Sequence, residues 1–236
     1  MANRNKFDPD LIPDRPHLDF ERALWEQGLK YIGGVDEAGR GALAGPVYAA
    51  VAILPVDFSL TETLLGVRDS KQMTPCARDY WADRLKHVLS AYGVGWAANT
   101  EIDELGIVPA VRLAVQRAIG RLCLPPQHLL VDFMHLPNSP LPQTPLIKGD
   151  SRSLSIASAS ILAKTCRDRY MEALDQLYPG YGFAENKGYG TLFHRDAIQR
   201  LGRCPEHRVS FHFHEAEKSQ ETKTSPVYRK YRPQSS

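Results

Sequence analysis

The chain is poor in cysteine. Among its 236 residues there are four, Cys76, Cys123, Cys166 and Cys204, and no two of them form a CxxC pair. That spacing excludes a zinc knuckle and a dithiol redox motif, and it predicts reduced, structural thiols. Long apolar runs are missing as well. The longest, Val47 to Leu54, falls far short of the roughly 18 residues of a membrane span. The polar, proline-rich opening MANRNKFDPDLIPDRP carries no apolar stretch behind its charges, so no secretory signal is expected there. A reducing, cytoplasmic setting follows. Charge of one sign is also absent: 29 Lys and Arg against 27 Asp and Glu leave a net charge of +2. Binding to nucleic acid would therefore depend on where the basic residues lie, not on their number. No internal repeat is present, and nothing suggests more than a monomer.

What the chain does have is a 43% hydrophobic fraction, enough for a substantial core. Residues 1–16 read as an extended arm, 17–214 as a catalytic domain, and 215–236 as a polar, aperiodic, disordered tail. The segment LDFERALWEQGLK has the apolar spacing of a short helix. YIGGVDE and VYAAVAIL read as strands joined by a glycine-rich loop, a hairpin with a ligand site at one end. Thr74 to Tyr92 is predicted helical, with Thr74 as cap and Pro75 in the first turn. GVGWAAN reads as a strand. Thr100 to Asp103 resembles a capping box opening a helix whose apolar stripe includes Ile107, Val111 and Val115. HLLVDF and PLIKGD read as short strands ending at Asp132 and Asp150. SLSIASASILAKTCRDRYMEALDQL is the longest helical candidate, and its Ala and Ser residues would let it lie close to a sheet. Strands alternating with helices after an opening run of strands make the class α/β with a mixed sheet.

Acids recur at one kind of place, the end of a short apolar strand: Asp36 with Glu37, Asp132, and Asp150. Functional groups converge at strand ends in such sheets. Successive side chains on a strand alternate faces, so Asp36 and Glu37 reach one site only if the strand bends or ends there, and the glycines at 33, 34, 39 and 41 permit a bend. Four converging carboxylates repel one another unless cations neutralise them, and oxygen-only donors select Mg²⁺ or Mn²⁺. That set matches a two-metal site, whose ions, about 4 Å apart, serve the attacking water and the leaving oxygen of a phosphodiester. Other chemistries fit less well. A glycosidase pair would leave the remaining acids unexplained, no G-x-G-x-x-G opens a helix for a dinucleotide, and Ser158 and Ser160 lie in a helical run where packing explains them.

The stretch GGVDEAGRGALAGPVYAAVAIL resembles the opening signature of ribonuclease HII, the type 2 ribonuclease H family in its bacterial single-chain form. DSKQMT (69–74), EIDELGI (101–107), LLVDF (129–133), KGDSRSLSIASASILAKTCRDR (148–169), YPGYGFAENKGYGT (178–191) and HRVSF (207–211) match in the same order. The resemblance implies a ribonuclease H fold, a mixed β-sheet flanked by helices with a small helical C-terminal portion. It implies an endonuclease acting on RNA–DNA hybrids and on single ribonucleotides embedded in duplex DNA, leaving 3′-hydroxyl and 5′-phosphate ends. It makes Asp36, Glu37, Asp132 and Asp150 the metal ligands, with Asp36 bridging the ions. It places a ribonucleotide-sensing loop at Gly39, Arg40 and Gly41 and a sugar-packing tyrosine at Tyr189. Only glycines let a backbone approach a sugar so closely, and the 2′-hydroxyl is what separates RNA from DNA. Two departures stand out: Ala42 replaces the family's proline, and Phe133 follows Asp132 in place of glycine. Lys71, Lys148, Lys164 and Lys187 are candidate phosphate contacts. Asp168, a rival fourth acid, is expected to pair with Arg167 or Arg169. A DNA transposase or resolvase of the same superfold would need no 2′-hydroxyl sensor. A non-catalytic hybrid-binding module would gain nothing from four acids beside a phosphate path.

Overall fold

The structure, a computed structural model, describes residues 8, 12–132, 134–137 and 139–212. The expected tail from residue 215 and most of the expected arm lie outside the described residues, as does Phe133. Five strands, β1 (Ile32–Ala38), β2 (Val47–Ile53), β3 (Ala91–Ala97), β4 (His128–Asp132) and β5 (Gln143–Leu146), form one sheet in the order β3-β2-β1-β4-β5. The first three are antiparallel in succession, whereas β4 runs parallel to β1 and β5 parallel to β4. The mixed α/β sheet read from the sequence is therefore present.

Helix α7 (Leu154–Leu177) lies across β1 and β2 on one face, and α5 (Ile107–Ile119) covers β2 and β3 on the other. Both faces of β2 are thus covered, which is why its seven residues are almost all apolar and buried. On the α7 side the core includes Leu130, Ile156, Ile161 and Leu162; on the α5 side it includes Val35, Val51, Val111 and Val131. Gly34 belongs to this packing. A Cβ there would stand 2.4 Å from the Ile156 nitrogen, so only glycine lets the start of α7 rest on β1. The bend expected of Gly33 and Gly34 is not made, because β1 continues straight through them to Ala38.

The remaining helices are α1 (Asp19–Trp25), α2 (Leu60–Thr63), α3 (Pro75–Val88), α4 (Asn99–Leu105), α6 (Gly149–Arg152), α8 (Phe183–Asn186) and α9 (Leu192–Leu201). Thr74 caps α3 as predicted, accepting from the Ala77 N–H. That helix ends at Val88, not Tyr92, because the Ser90 N–H joins the Ile53 carbonyl and starts β3. The expected single helix from Thr100 is two. The first opens at Asn99, with Glu101 accepting from the Ala98 N–H, and Gly106 at φ +82° divides it from α5. A third apolar cluster, with Met171, Tyr181, Phe183 and Ile198, packs α8 and α9 against the second half of α7.

Candidate active site

The ladder between β1 and β4 stops at Val35↔Val131, one residue short of Asp36 and Asp132. These two acids stand where adjacent parallel strands cease to pair, and the pocket opens there. It is about 900 Å³ and is lined by Asp36, Glu37, Asp132, Lys71, Gly39–Gly41 and Tyr189, among others. Asp36 and Glu37 both line it although they are neighbours on a strand, because β4 no longer pairs beside them and that edge of β1 is open. Asp150 arrives differently. Strand β5 ends at Leu146, and Asp150 sits, buried, in the short turn α6, not at a strand end as predicted. Lys148, at φ +57°, redirects the chain between the two. The Gly149 N–H donates to Asp132 Oδ1 at 2.7 Å, so the third and fourth acids are coupled through one backbone bond. Lys71 Nζ then meets Asp150 Oδ2 at 3.1 Å.

The electrostatics are those of crowded anions. Burial, followed by the charges of Glu37 and Asp132, holds the Asp36 carboxyl well above the ordinary range. Burial and then Asp132 raise Glu37. Burial and then Asp150 push Asp132 up to about 6. Two cations answer these acids directly: Lys71, and Arg40, whose Nη1 is 3.7 Å from Glu37 Oε1. Partial burial works against the Lys71 ammonium, but Asp150, Asp36 and Asp69 outweigh it and keep the charge in place. Asp36 Oδ1 accepts from the Glu37 N–H at 2.8 Å, the nearby Ser160 hydroxyl works against the rise of the same carboxyl, and Oδ2 is buried with no hydrogen-bond partner among the described residues. Ser160, read from the sequence as a packing residue, is thus an active-site neighbour, and its hydroxyl is 2.8 Å from that of Ser70.

Among the described residues no three Asp, Glu, His or Cys side chains stand in a ready-made metal cage. The donor set nevertheless fits a divalent cation. It is all oxygen, the four carboxylates face two directly paired cations, and a buried Asp36 oxygen is left without a partner.

Opposite the acids, Gly39 has φ +89°, and a Cβ on it would meet Arg167 Nε at 1.9 Å. Around Gly41 that position is open. Arg208, fully buried, donates from Nη2 to the Gly39 carbonyl at 2.7 Å, from Nη1 to the Arg40 carbonyl at 2.9 Å, and from Nε to the Gly45 carbonyl at 3.0 Å. Arg167 donates to the carbonyls of Pro46 and Ala44, and its guanidinium lies 5.3 Å from the Tyr189 ring. Both arginines are pushed down by burial, Arg208 to about 9. Neither role is visible in the sequence, because an arginine that binds carbonyls carries no spacing signature.

The predicted lysines divide. Lys71 and Lys164 line the pocket with Asp150 and Asp168 as partners, and Lys187 lines it bound to Glu172. Lys148 is not on its wall, although its charge reaches Asp132. Asp168 pairs with neither Arg167 nor Arg169. It takes Arg78 at 3.0 Å and Lys164 at 2.6 Å, because Lys164 is one helical turn away, whereas adjacent residues point apart on a helix. Arg169 pairs with Asp79 instead.

The family model for ribonuclease HII matches residues 33–215. Ribonuclease HII of Synechococcus sp. (strain JA-3-3Ab) is 51% identical over 197 residues, covering 84% of this chain and 88% of that protein. The Moorella thermoacetica protein of the same name is 50% identical over 192 residues, covering 81% and 91%. Among solved structures, ribonuclease H2 from Pyrococcus horikoshii OT3 superposes with a TM-score of 0.61 at 28% identity, covering 76% of this chain and 93% of that one. The matched span contains both the acid-lined strand ends and the buried arginines facing them, and with half of all residues shared across it the chain belongs to the ribonuclease HII family of ribonuclease H hydrolases.

Proposed function

We propose that this protein hydrolyses the RNA strand of RNA–DNA hybrids and also cuts at single ribonucleotides embedded in duplex DNA, leaving 3′-hydroxyl and 5′-phosphate ends. The observation that carries the reading is one pocket with two unlike walls. Asp36, Glu37 and Asp132 form one wall, with Asp150 buried behind them and joined through Lys71 and the Gly149 N–H, and a glycine loop with Tyr189 forms the other.

Asp36, Glu37, Asp132 and Asp150 would hold Mg²⁺ or Mn²⁺, and these ions, when bound, supply Lewis-acid stabilisation to the oxygens that attack and depart. Asp36 would be the natural shared ligand, being buried and flanked by Glu37 and Asp132 with an oxygen to spare. The Lys71 side chain is 69% exposed and holds its charge at the pocket rim, where a scissile phosphate would pass. Arg208 holds the carbonyls of Gly39 and Arg40 and so fixes the loop backbone that would meet a sugar hydroxyl. Tyr189, 36% exposed, presents its ring to the same space, with Arg167 and Lys164 near its π face.

A duplex with one embedded ribonucleotide, incubated with and without Mg²⁺ beside an all-DNA control, tests this. Cleavage is expected only with both metal and ribonucleotide. Equal cutting of the all-DNA duplex would show that the Gly39–Gly41 loop senses nothing.

A further inference from the structure

The stretch HRVSF contributes to the family likeness, yet no function so far uses its histidine. His207 and Arg208 are adjacent, both buried, and their side chains leave in different directions, as neighbours in extended backbone do. Backbone pairing joins this segment to the end of the glycine loop: Ala44 and His207 form an antiparallel bridge, and the Arg208 N–H donates to the Leu43 carbonyl. The Arg208 side chain holds the carbonyls of Gly39 and Arg40. The His207 side chain turns the other way, toward His194.

The Cys204 N–H donates to His207 Nδ1 at 2.9 Å, so that nitrogen is an unprotonated acceptor. The Cys204 carbonyl also lies 3.2 Å away, but a hydrogen on Nδ1 would set donor against donor with the closer Cys204 N–H. A neutral imidazole carries one donor and one acceptor, so the hydrogen of His207 is on Nε2, which lies 3.1 Å from His194 Nε2. His194 must accept there and keep its own hydrogen on Nδ1, 2.9 Å from the Tyr189 carbonyl. The bonds run in one direction, from Cys204 through two neutral rings to Tyr189. Burial lowers both histidines, and His207 is taken to about 4 by burial, then by His194 and Arg203.

We propose that His207-Arg208 is a positioning clasp that sets the separation between the Tyr189 ring and the Gly39–Gly41 loop, with His194 relaying His207 to Tyr189. The clasp rests on the reading of Tyr189 as a sugar contact. It acts on no reacting atom; it fixes where the two sensing elements stand.

The test has a spectroscopic and a kinetic arm. Two-bond ¹⁵N–¹H NMR of the whole protein at pH 7 should show His194 with its hydrogen on Nδ1 and His207 with its hydrogen on Nε2. In the kinetic arm, H207F should cut a single embedded ribonucleotide roughly tenfold more slowly, whereas H207Q, which keeps a donor toward His194, recovers most of that rate. In a Y189A background H207F should cost no more than about twofold further, since the element it positions is already gone. Arg208→Lys keeps the charge but not the fork and should behave like H207F. If His194 carries its hydrogen on Nε2, or if H207F and Y189A losses multiply fully, the clasp is wrong and the reading of Tyr189 as a sugar contact is untouched. If Y189A cleaves like wild type, the sugar-contact reading itself falls and takes the clasp with it.

Discussion

The two walls of the pocket are built from opposite materials. The acid wall stands on the sheet: Asp36, Glu37 and Asp132 occupy strand ends whose spacing is set by backbone ladders, and Asp150 is tied to Asp132 through the Gly149 N–H. The facing wall is made of loops, and buried cations that bind carbonyl oxygens brace it, Arg167 under residues 44 and 46 and Arg208 under residues 39, 40 and 45. One wall carries more negative charge than its partners cancel; the other buries positive charge against neutral dipoles. The first arrangement suits recruiting cations for chemistry, and it costs stability for as long as they are absent. The second confers rigidity, because each guanidinium ties two or three backbone carbonyls of the loop together.

Substitutions can break that contrast. The largest effect is expected at Asp36. Asp36→Asn keeps the shape but removes the most crowded charge, so cleavage in Mg²⁺ should fall by about a thousandfold or more, the several kcal/mol that metal stabilisation supplies. Hybrid binding should survive, and the variant should melt higher than wild type, because the carboxylate it loses was repelled. A variant that cleaves at near wild-type rate, or melts lower, would place the unbalanced charge elsewhere.

On the other wall the effect is smaller. Tyr189→Ala should slow cutting at one embedded ribonucleotide by roughly ten- to a hundredfold, the equivalent of a stacking contact worth about 1–3 kcal/mol. Tyr189→Phe keeps the ring and should suffer less. Equal rates for Ala, Phe and wild type would make Tyr189 a packing residue and leave the glycine loop as sole sensor.

The walls should also respond oppositely to pH. Asp132, raised to about 6 from 3.8, holds its proton longer folded than unfolded, so its contribution to stability is lost as pH rises between those values. His207, lowered to about 4 from 6.5, binds its proton more readily when unfolded, so its contribution is lost as pH falls through that window. Asp132→Asn should therefore steepen the rise in melting temperature from pH 4 to 6.5, and His207→Gln should flatten it. Each change should be of order 1 kcal/mol, or about 2–4 °C for a chain of this size. Parallel shifts in both variants would dissolve the distinction between the walls. The smallest effect on rate is expected at Asp168, which lines the pocket but is already held by Arg78 and Lys164. Asp168→Asn should lower stability while leaving the rate per folded molecule within about threefold, as parallel melting and cleavage measurements would show.

The contrast between the walls also explains what could be read from the sequence. Strand-end acids announce themselves, because an apolar run closing in Asp is a local pattern, and Asp36, Glu37 and Asp132 stand where that pattern puts them. Asp150 has the right neighbourhood for a different reason, since three residues, one of them the left-handed Lys148, separate it from its strand. The loop wall is legible only in the glycines and Tyr189. Its braces are not local: Arg208 lies more than 160 residues from the carbonyls it holds, and His194 and His207 read separately as unremarkable. Ser160, on an Ala/Ser helix face, looks like its packing neighbours until Asp36 is placed beside it.

The central claim is that the 2′-hydroxyl is read by one wall while chemistry proceeds at the other, so the hydroxyl is recognised but not consumed. Identifying the ends left at a single embedded ribonucleotide measures this directly. The account predicts a 3′-hydroxyl on one fragment and a 5′-phosphate on the other, formed only with a divalent cation. A 2′,3′-cyclic phosphate, or cutting that persists in chelator, would show the hydroxyl acting as nucleophile and would contradict the division of labour between the two walls.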